Sequence, residues 1–186
     1  MKASVYIATS LDGFIARENG ALDWLPGADG GGGDGPGDGP GDSEDYGYHA
    51  FMATVDAIVM GRHTYETVRG FGDWPYDMPV VVLSSRPVDI PTELKQSVEA
   101  MAGAPKEVFY RLADRGFEHL YVDGGATIQR FLRAGLIGRL TVTRVPVLLG
   151  TGIPLFGPLD RDIHLRHVET KSYASGLVQS IYDTAV

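Results

Sequence analysis

The sequence predicts an α/β protein, a mixed sandwich with helices on both faces of a sheet and an antiparallel C-terminal edge. Three observations predict this fold. Short apolar runs of strand character alternate with helical patterns, and glycines stand where strands give way to helices. The last two strand-like runs are joined by Ala174-Ser175-Gly176, a hairpin turn. The 186 residues suit one domain with a full core, so we expect a single domain over 1–186.

Composition and charge exclude several classes of protein. Hydrophobic residues make up 44% of the chain, yet no apolar run is long enough to span a bilayer, and the N-terminus lacks a signal-peptide pattern. The absence of cysteine excludes disulfides and thiolate metal sites, and we expect a cytoplasmic protein that holds no metal. The net charge of −8 disfavours nucleic-acid binding, which needs a basic face.

The first half of the chain contains three predicted strands and two predicted helices. Their apolar positions recur at strand or helix spacing, and the second helix follows a glycine directly. The predicted strands are 3–9, 56–60 and 79–83, and the predicted helices begin near Ser43, with Ser43 as its cap, and near Gly61.

A low-complexity insertion separates the first strand from the first helix. Residues 27–42 consist of glycine, aspartate, proline and one alanine, which cannot bury apolar area. A mobile surface insertion is the expected state of this tract. A lid over a neighbouring site is the alternative, since mobile loops often cover active sites.

The second half adds helices, strands and one apolar loop. The loop Gly150–Gly157 carries isoleucine, leucine and phenylalanine, which must pack on the core or on a partner chain. We expect helices over 91–101, 105–116 and 128–134, and strands over 119–122, 140–147, 163–173 and 177–183.

One glycine pair lies where a strand turns into a helix. Gly124 and Gly125 follow the apolar run 119–122 and precede a helical pattern. A helix start presents unpaired N–H groups and the positive end of the helix dipole, and glycine lets an anion approach closely. We therefore predict that a nucleotide phosphate docks at Gly124-Gly125-Ala126-Thr127. A tight turn with no ligand is the alternative reading of the glycine pair alone.

Two further junctions suit phosphate oxygens. Gly61-Arg62-His63-Thr64 repeats the strand–glycine–helix pattern and adds a guanidinium, an imidazole and a hydroxyl. Ser84-Ser85-Arg86 follows a buried strand, and hydroxyls with a guanidinium can clamp a phosphate monoester such as an adenosine 2′-phosphate. The alternatives are a helix capped by Thr64 and an ordinary solvated turn.

Four motifs in the same order resemble the dihydrofolate reductase superfamily. Within it, the chain is more similar to a bacterial branch related to the C-terminal reductase domain of the riboflavin-biosynthesis bifunctional deaminase/reductase. The motifs are Ala8–Ile15, Val59–Glu66, Leu83–Arg86 and Val122–Gly125, and the run Leu149–Phe156 is similar to that branch alone. The resemblance implies a three-layer sandwich around a twisted, mostly parallel eight-stranded sheet with one antiparallel strand.

The resemblance also implies an NADPH site. Ala8 and Ile15 would flank the nicotinamide, near the turn at Gly13. The phosphates would contact the glycine pair and the side chains that follow the predicted strands 56–60 and 79–83. The residues that the resemblance assigns to phosphates, with the glycine that begins the first junction, are Gly61, Arg62, His63, Thr64, Ser84, Ser85, Arg86, Gly124, Gly125, Ala126 and Thr127.

The substrate side is less defined by sequence. Asp45 falls near the position of the carboxylate that supports pterin protonation in dihydrofolate reductases, although it also reads as a first-turn helix residue. Thr143 matches a strand threonine that faces the pterin, and Asp23 is near the expected pocket mouth. The sequence shows neither a clear arginine for the glutamate tail of folate nor an obvious clamp for a ribose phosphate.

The predicted function is an NADPH-dependent reductase. It would transfer a hydride to a pterin-like or other small heterocycle, of the dihydrofolate reductase or 5-amino-6-(5-phosphoribosylamino)uracil reductase type. One alternative is an NADP(H)-binding sensor or assembly protein without turnover. A purely structural module is a third reading, which leaves the anion-suited junctions unexplained. We expect no membrane partner and, because related proteins pair through their C-terminal region, a homodimer.

Overall fold

The structure is a computed structural model that describes residues 1–26 and 45–185. Eight of its ten strands form one sheet, and the two shortest strands pair separately beside it. In chain order the strands are β1 (Lys2–Ser10), β2 (Phe14–Ala16), β3 (Ala57–Gly61), β4 (Val80–Leu83), β5 (Val98–Met101), β6 (His119–Asp123), β7 (Arg139–Val145), β8 (Ile153–Pro154), β9 (Leu165–Ser172) and β10 (Val178–Thr184).

The large sheet has the order β5-β4-β3-β6-β1-β7-β10-β9. Every adjacent pair from β5 to β7 is parallel, whereas β10 runs antiparallel to both of its neighbours. Strand β9 therefore points the same way as the six parallel strands from β5 to β7, and β10 alone in this sheet is reversed. The predicted fold class, a mostly parallel sheet with an antiparallel C-terminal hairpin, is confirmed.

Helices lie on both faces of this sheet. They are α1 (Tyr48–Met52), α2 (Arg62–Arg69), α3 (Pro105–Asp114) and α4 (Gly125–Arg133), with one 3₁₀ turn at Thr92–Leu94. Helices α3 and α4 cover one face, where Val59, Val122 and Phe131 are fully buried. The other face carries a second core cluster around Met60 and Tyr65, against which α1 packs. No helix within the described ranges has the length and apolar character needed to cross a membrane.

Strand β5 corrects the predicted helix over 91–101. The segment forms the 3₁₀ turn and then a strand, with Val80 to Leu83 of β4 paired in parallel with Val98 to Met101. Val98 and Met101 are buried at the sheet edge. Pairing with β4 therefore overrides a sequence of helical character, as tertiary context often does.

The start of the first helix also differs from the prediction. Helix α1 begins at Tyr48, and the side chain of Asp45 accepts hydrogen bonds from the N–H groups of Gly47 and His49, both at 3.0 Å. The predicted cap Ser43 and the insertion 27–42 lie outside the described residues.

The apolar loop after β7 packs in two ways. Leu155 is fully buried in the core, whereas Ile153 and Phe156 are exposed. Ile153 and Pro154 form β8, which pairs with β2 and so ties this loop to the turn after β1. The short β2–β8 pair is a feature that the sequence prediction missed.

Candidate cofactor and substrate groove

A groove of about 2170 Å³ runs along the edge of the sheet where the parallel strands end. Pockets for one small ligand typically hold about 300–1,000 Å³, so this groove has room for more than one. Its floor includes the ends of β1, β3, β4, β5 and β6. Ligands of open α/β sheets bind at this edge, where loops and helix starts converge.

The junction between β6 and α4 meets the start of α2 in the groove wall. Gly124 has φ 85°, and a Cβ atom placed on it would lie 2.2 Å from Oγ1 of Thr64. Only glycine fits that contact, and the close approach brings the start of α4 beside the start of α2. Both helix starts therefore present their N–H groups to the same part of the groove.

Charged side chains surround these helix starts. The Arg62 side chain is 30% exposed, and its Nε lies 3.6 Å from Glu66 Oε1. His63 is almost fully exposed, with Nδ1 at 3.6 Å from Glu66. At the adjoining junction, a Cβ atom on Gly61 would lie 3.0 Å from Oγ1 of the buried Thr127. These contacts leave Arg62 and His63 at the groove, held only by a weak pairing with one glutamate.

The turn after β4 supplies another cation. The Ser84 hydroxyl donates to the Arg86 carbonyl at 2.7 Å and accepts from the Arg86 N–H at 3.1 Å, which closes the turn. Ser85 and Arg86 are exposed beside it. No carboxylate among the described residues pairs with the Arg86 guanidinium. Arg86 is therefore available to an anionic ligand, while Ser84 also has a structural role.

Arg130 is a groove residue that sequence reasoning missed. It lies on α4 and donates from Nη2 to the Gly103 carbonyl, at 3.3 Å. Residues four apart share a helix face, so Arg130 lies one turn beyond Ala126 at the helix start. That spacing was the signal that could have identified it. We refer to this part of the groove, Gly61–Thr64, Ser84–Arg86, Gly124–Thr127 and Arg130, as the cofactor end.

The cofactor end suits a phosphorylated dinucleotide. Two helix starts that meet where Gly124 contacts Thr64 fit a pyrophosphate, which needs N–H donors. Arg86, Arg62 and Arg130 add positive charge for a further phosphate. The residues therefore fit NADPH, whose 2′-phosphate adds a charge that these arginines suit.

Most of the predicted cofactor residues do line the groove. Gly13 does not: it occupies the turn after β1, with φ 87° and its N–H bonded to the Ser10 carbonyl. The predicted residues that line the groove are Ala8, Ile15, Gly61, Arg62, His63, Thr64, Ser84, Ser85, Arg86, Gly124, Gly125, Ala126 and Thr127.

The three predicted catalytic residues are not among the groove-lining residues. Asp45 is exposed, and the N–H groups of Gly47 and His49 hold the pKa of its carboxyl below the usual value. A hydrogen bond from Arg17 likewise lowers the pKa of Asp23. Both carboxyl groups are thus poor proton donors at neutral pH.

Thr143 lies in the protein interior, on β7. It is fully buried, and its hydroxyl accepts a hydrogen bond from Gln179 Nε2 at 3.0 Å. Gln179 also reaches the Tyr6 hydroxyl and the Tyr46 carbonyl. Thr143 therefore belongs to that internal network and not to the lining of the groove.

Asp123 is a carboxylate that lines the groove at the end of a central strand. It lies at the end of β6, two residues after Tyr121, so that both side chains project from the same face of the sheet. Burial raises the pKa of Asp123 to about 6, although a hydrogen bond from the Gly124 N–H and the nearby Tyr121 hydroxyl act to lower it. Sequence reasoning missed Asp123, because its place directly before the glycine pair gives no sign of this burial.

Aromatic side chains surround Asp123. Burial raises the pKa of the Tyr121 phenol, and Asp123, Tyr48, Tyr76 and Tyr6 lie close enough to raise it further. The Tyr121 hydroxyl donates to the Tyr6 carbonyl at 2.9 Å. We refer to this part of the groove as the aromatic end, and its residues are Tyr6, Tyr48, Trp74, Tyr76, Tyr121 and Asp123.

The sheet order gives the protein a dihydrofolate reductase-like α/β fold. More particularly, the chain belongs to the RibD C-terminal domain family, whose model matches residues 2–179. The predicted resemblance is therefore confirmed at the level of family and fold.

Individual relatives match over nearly the whole chain. YwjB of Bacillus subtilis strain 168, an uncharacterized protein, is 34% identical over 179 residues, which is 95% of this chain and 94% of YwjB. A crystal structure named "Putative riboflavin biosynthesis protein" from Shewanella sp. PV-4 has 38% identity, full coverage of both chains and a TM-score of 0.88. Enterococcus faecalis dihydrofolate reductase, complexed with NADP(H), shares the fold at 17% identity and a TM-score of 0.65, covering 100% of this chain and 97% of that one.

Proposed function

We propose that the protein is an NADPH-dependent reductase of a small heterocycle. The observation that carries this proposal is the meeting of two helix starts at Gly124 and Thr64, in a groove that is basic at one end and aromatic at the other. The NADP(H) complex of the Enterococcus faecalis enzyme and the family membership support the same reading. NADPH, when bound, supplies the hydride.

The chain's own residues position the two reactants. The N–H groups at the starts of α2 and α4 hold the pyrophosphate, and Arg62, Arg86 and Arg130 hold the remaining phosphate charge. Ala8 and Ile15 line the middle of the groove, where they exclude water from the reacting carbon. The tyrosines of the aromatic end hold the flat ring of the substrate.

Asp123 replaces the predicted proton donors in this mechanism. As a C=N bond is reduced, its carbon receives the hydride, the π bond opens and the nitrogen takes one proton. With its raised pKa, Asp123 holds that proton in the weakly acidic range and passes it directly or through water. The products are a C–H bond, an N–H bond and oxidised cofactor, and solvent returns the proton to Asp123.

The test is NADPH consumption with a panel of heterocycles that contain a reducible C=N bond. We expect turnover with at least one member, falling as pH rises through about 6, and in Asp123→Asn a much slower turnover that no longer falls over that pH range. NADPH binding is measured in the same samples by its fluorescence. Absence of NADPH binding would contradict the proposal.

A second candidate function is an NADP(H)-binding sensor or assembly protein without turnover. The observation that favours it is the position of Asp45, Asp23 and Thr143, none of which lines the groove. This candidate predicts tight NADPH binding with no consumption across the panel, and the same NADPH affinity in Asp123→Asn as in the wild type.

We further propose that the protein is a homodimer that pairs through its C-terminal region. Ile153, Phe156 and Leu159 are exposed apolar side chains in the segment between β7 and β9. A second copy would cover them, because contiguous exposed apolar groups are typical of association surfaces. Light scattering should give a mass equal to two chains. The double substitution Ile153→Ser with Phe156→Ser should lower that mass to the mass of one chain.

A further inference from the structure

Charge is divided unequally along the groove. Among the described residues, the arginine and lysine side chains that line it are Arg62, Arg86 and Arg130, and all three belong to the cofactor end. They come from α2, the turn after β4 and α4. The aromatic end therefore contains no lysine or arginine within the described ranges.

The aromatic end and its rim are acidic instead. Asp73 and Asp77 flank Trp74 and Tyr76 in the loop between α2 and β4 and line the groove with them, as does Glu18 beyond β2. The Tyr76 phenol is near enough to Tyr121 to affect its pKa, which brings this loop over the floor that carries Asp123.

Neighbouring cations do not compensate for these carboxylates. Arg17, close in sequence to Glu18, pairs with Asp23 at 2.7 Å, and Arg69 at the end of α2 pairs with Asp89 at 3.3 Å. Among the described residues, both of these neighbouring arginines are therefore already paired with carboxylates.

We propose that the substrate of this groove is a flat heterocycle, neutral or cationic, that carries neither a phosphate nor a carboxylate group. The proposal rests on the proposed reductase function and names the substrate class of the same site. Tyrosine and tryptophan rings favour a planar ligand and stabilise a cationic one. Like charges across an interface disfavour a partner strongly, so the carboxylates select against an anionic tail.

This inference narrows the two substrate types that the sequence suggested. A phosphoribosyl group would require a phosphate clamp, and a folate tail would require a cation for its glutamate carboxylates. The aromatic end offers neither among its described residues. A heterocycle that ends in a hydroxylated or alkyl side chain meets the same tyrosines without that electrostatic penalty.

The test uses two matched pairs of ligands and NADP⁺-loaded protein. One pair is dihydrobiopterin and dihydrofolate, and the other is 5-amino-6-(ribosylamino)uracil and its 5′-phosphate. Each is titrated by calorimetry in low salt, where surface electrostatics are least screened. We expect the uncharged member of at least one pair to bind about tenfold more tightly than its anionic partner, the scale of effect that like-charge contact produces.

A charge variant tests the cause of that preference. Asp77→Lys should reduce the discrimination between the members of a pair, mainly by strengthening binding of the anionic member. Asp160→Lys is the matched control, because Asp160 is an exposed residue that does not line the groove, and it should leave the ratio unchanged. Equal reduction by both variants would overturn the role of the aromatic end.

The outcomes separate this inference from the proposed function. If NADP⁺ binds and the anionic members bind as tightly as the uncharged ones, or if no uncharged member binds, the substrate inference is wrong while the cofactor assignment stands. If NADP⁺ and NADPH both fail to bind, the proposed function fails first, and the substrate inference that rests on it fails with it.

Discussion

The two ends of the groove are built by different means. The cofactor end depends on backbone, since helix starts face the ligand and Gly124 permits contact with Thr64. The aromatic end depends on side chains drawn from β1, α1, the loop before β4 and β6. A phosphate site built from contiguous backbone therefore leaves a local sequence pattern, whereas a pocket for a ring, built from distant side chains, does not. The two ends also differ in charge, since the arginines lie at the cofactor end and carboxylates lie at the aromatic end.

The largest effect is expected from a substitution at the backbone turn of the cofactor end. Gly124→Ala places a methyl group 2.2 Å from Thr64 Oγ1 on a backbone with φ 85°. Strained backbone and overpacking together should cost about 4 kcal/mol of unfolding free energy. Urea denaturation measures this cost, and NADPH affinity should fall with it.

Gly135→Ala is the matched control for that change. Gly135 also has positive φ, at 69°, but nothing lies within 4 Å of the added Cβ. Its cost should be about 1 kcal/mol from backbone strain alone, with unchanged NADPH affinity. Equal costs for the two variants would show that the contact between Gly124 and Thr64 is unimportant.

The next effect concerns the carboxyl group of the aromatic end. Because the Asp123 pKa is raised from 3.8 to about 6, the folded state holds this proton more tightly than the unfolded state does. The stability contribution of Asp123 is therefore greatest below about pH 4 and is lost as pH rises through about 6. At pH 8, Asp123→Asn should be more stable than the wild type by up to about 3 kcal/mol.

Asp183 provides a control of opposite sign. A hydrogen bond from Arg139 lowers the pKa of Asp183, so its contribution is present above the ordinary carboxyl pKa and is lost as pH falls. Thermal unfolding from pH 2 to pH 8 measures Asp123→Asn and Asp183→Asn against the wild type, and the Asp183 difference should shrink only below about pH 4. A constant difference between wild type and Asp123→Asn over that range would mean that Asp123 is not a titrating, shielded group.

A smaller effect sharpens the assignment of charge to the cofactor end. Arg86→Ala should weaken NADPH binding about tenfold, the loss of one charge-assisted contact, and leave NADH binding nearly unchanged. Arg133→Ala is the matched control, since Arg133 is an exposed arginine of α4 that does not line the groove. If Arg133→Ala and Arg86→Ala weaken NADPH binding alike, the effect belongs to overall charge and not to a phosphate clamp.

Sequence patterns predicted the fold because most of its buried strands are apolar runs, and β3 and β6 have glycines where they give way to helices. They failed for β5, where Val98-Glu99-Ala100-Met101 has no strand alternation and becomes a strand only by pairing with β4. The prediction failed because β4, the partner strand, ends fifteen residues before β5 begins and so contributes no local sequence signal.

The same distinction applies to the site. The phosphate-suited junctions were predictable because each is contiguous in sequence and each requires glycine or a hydroxyl at a fixed place. Asp45 and Thr143 were assigned by resemblance. In the structure Asp45 accepts a hydrogen bond at the start of α1, and Thr143 accepts one from Gln179. Asp123 was overlooked as a catalytic group because only burial distinguishes it from any other strand-end aspartate.

The most direct test of the division between the two ends is a calorimetric titration of the wild-type protein with NADPH and with NADH. The two cofactors differ only in the 2′-phosphate that the arginines of the cofactor end should bind. We predict that NADPH binds at least about tenfold more tightly, in keeping with one charge-assisted phosphate contact, and that added salt narrows the difference. Equal affinities, or no binding of either cofactor, would contradict the account.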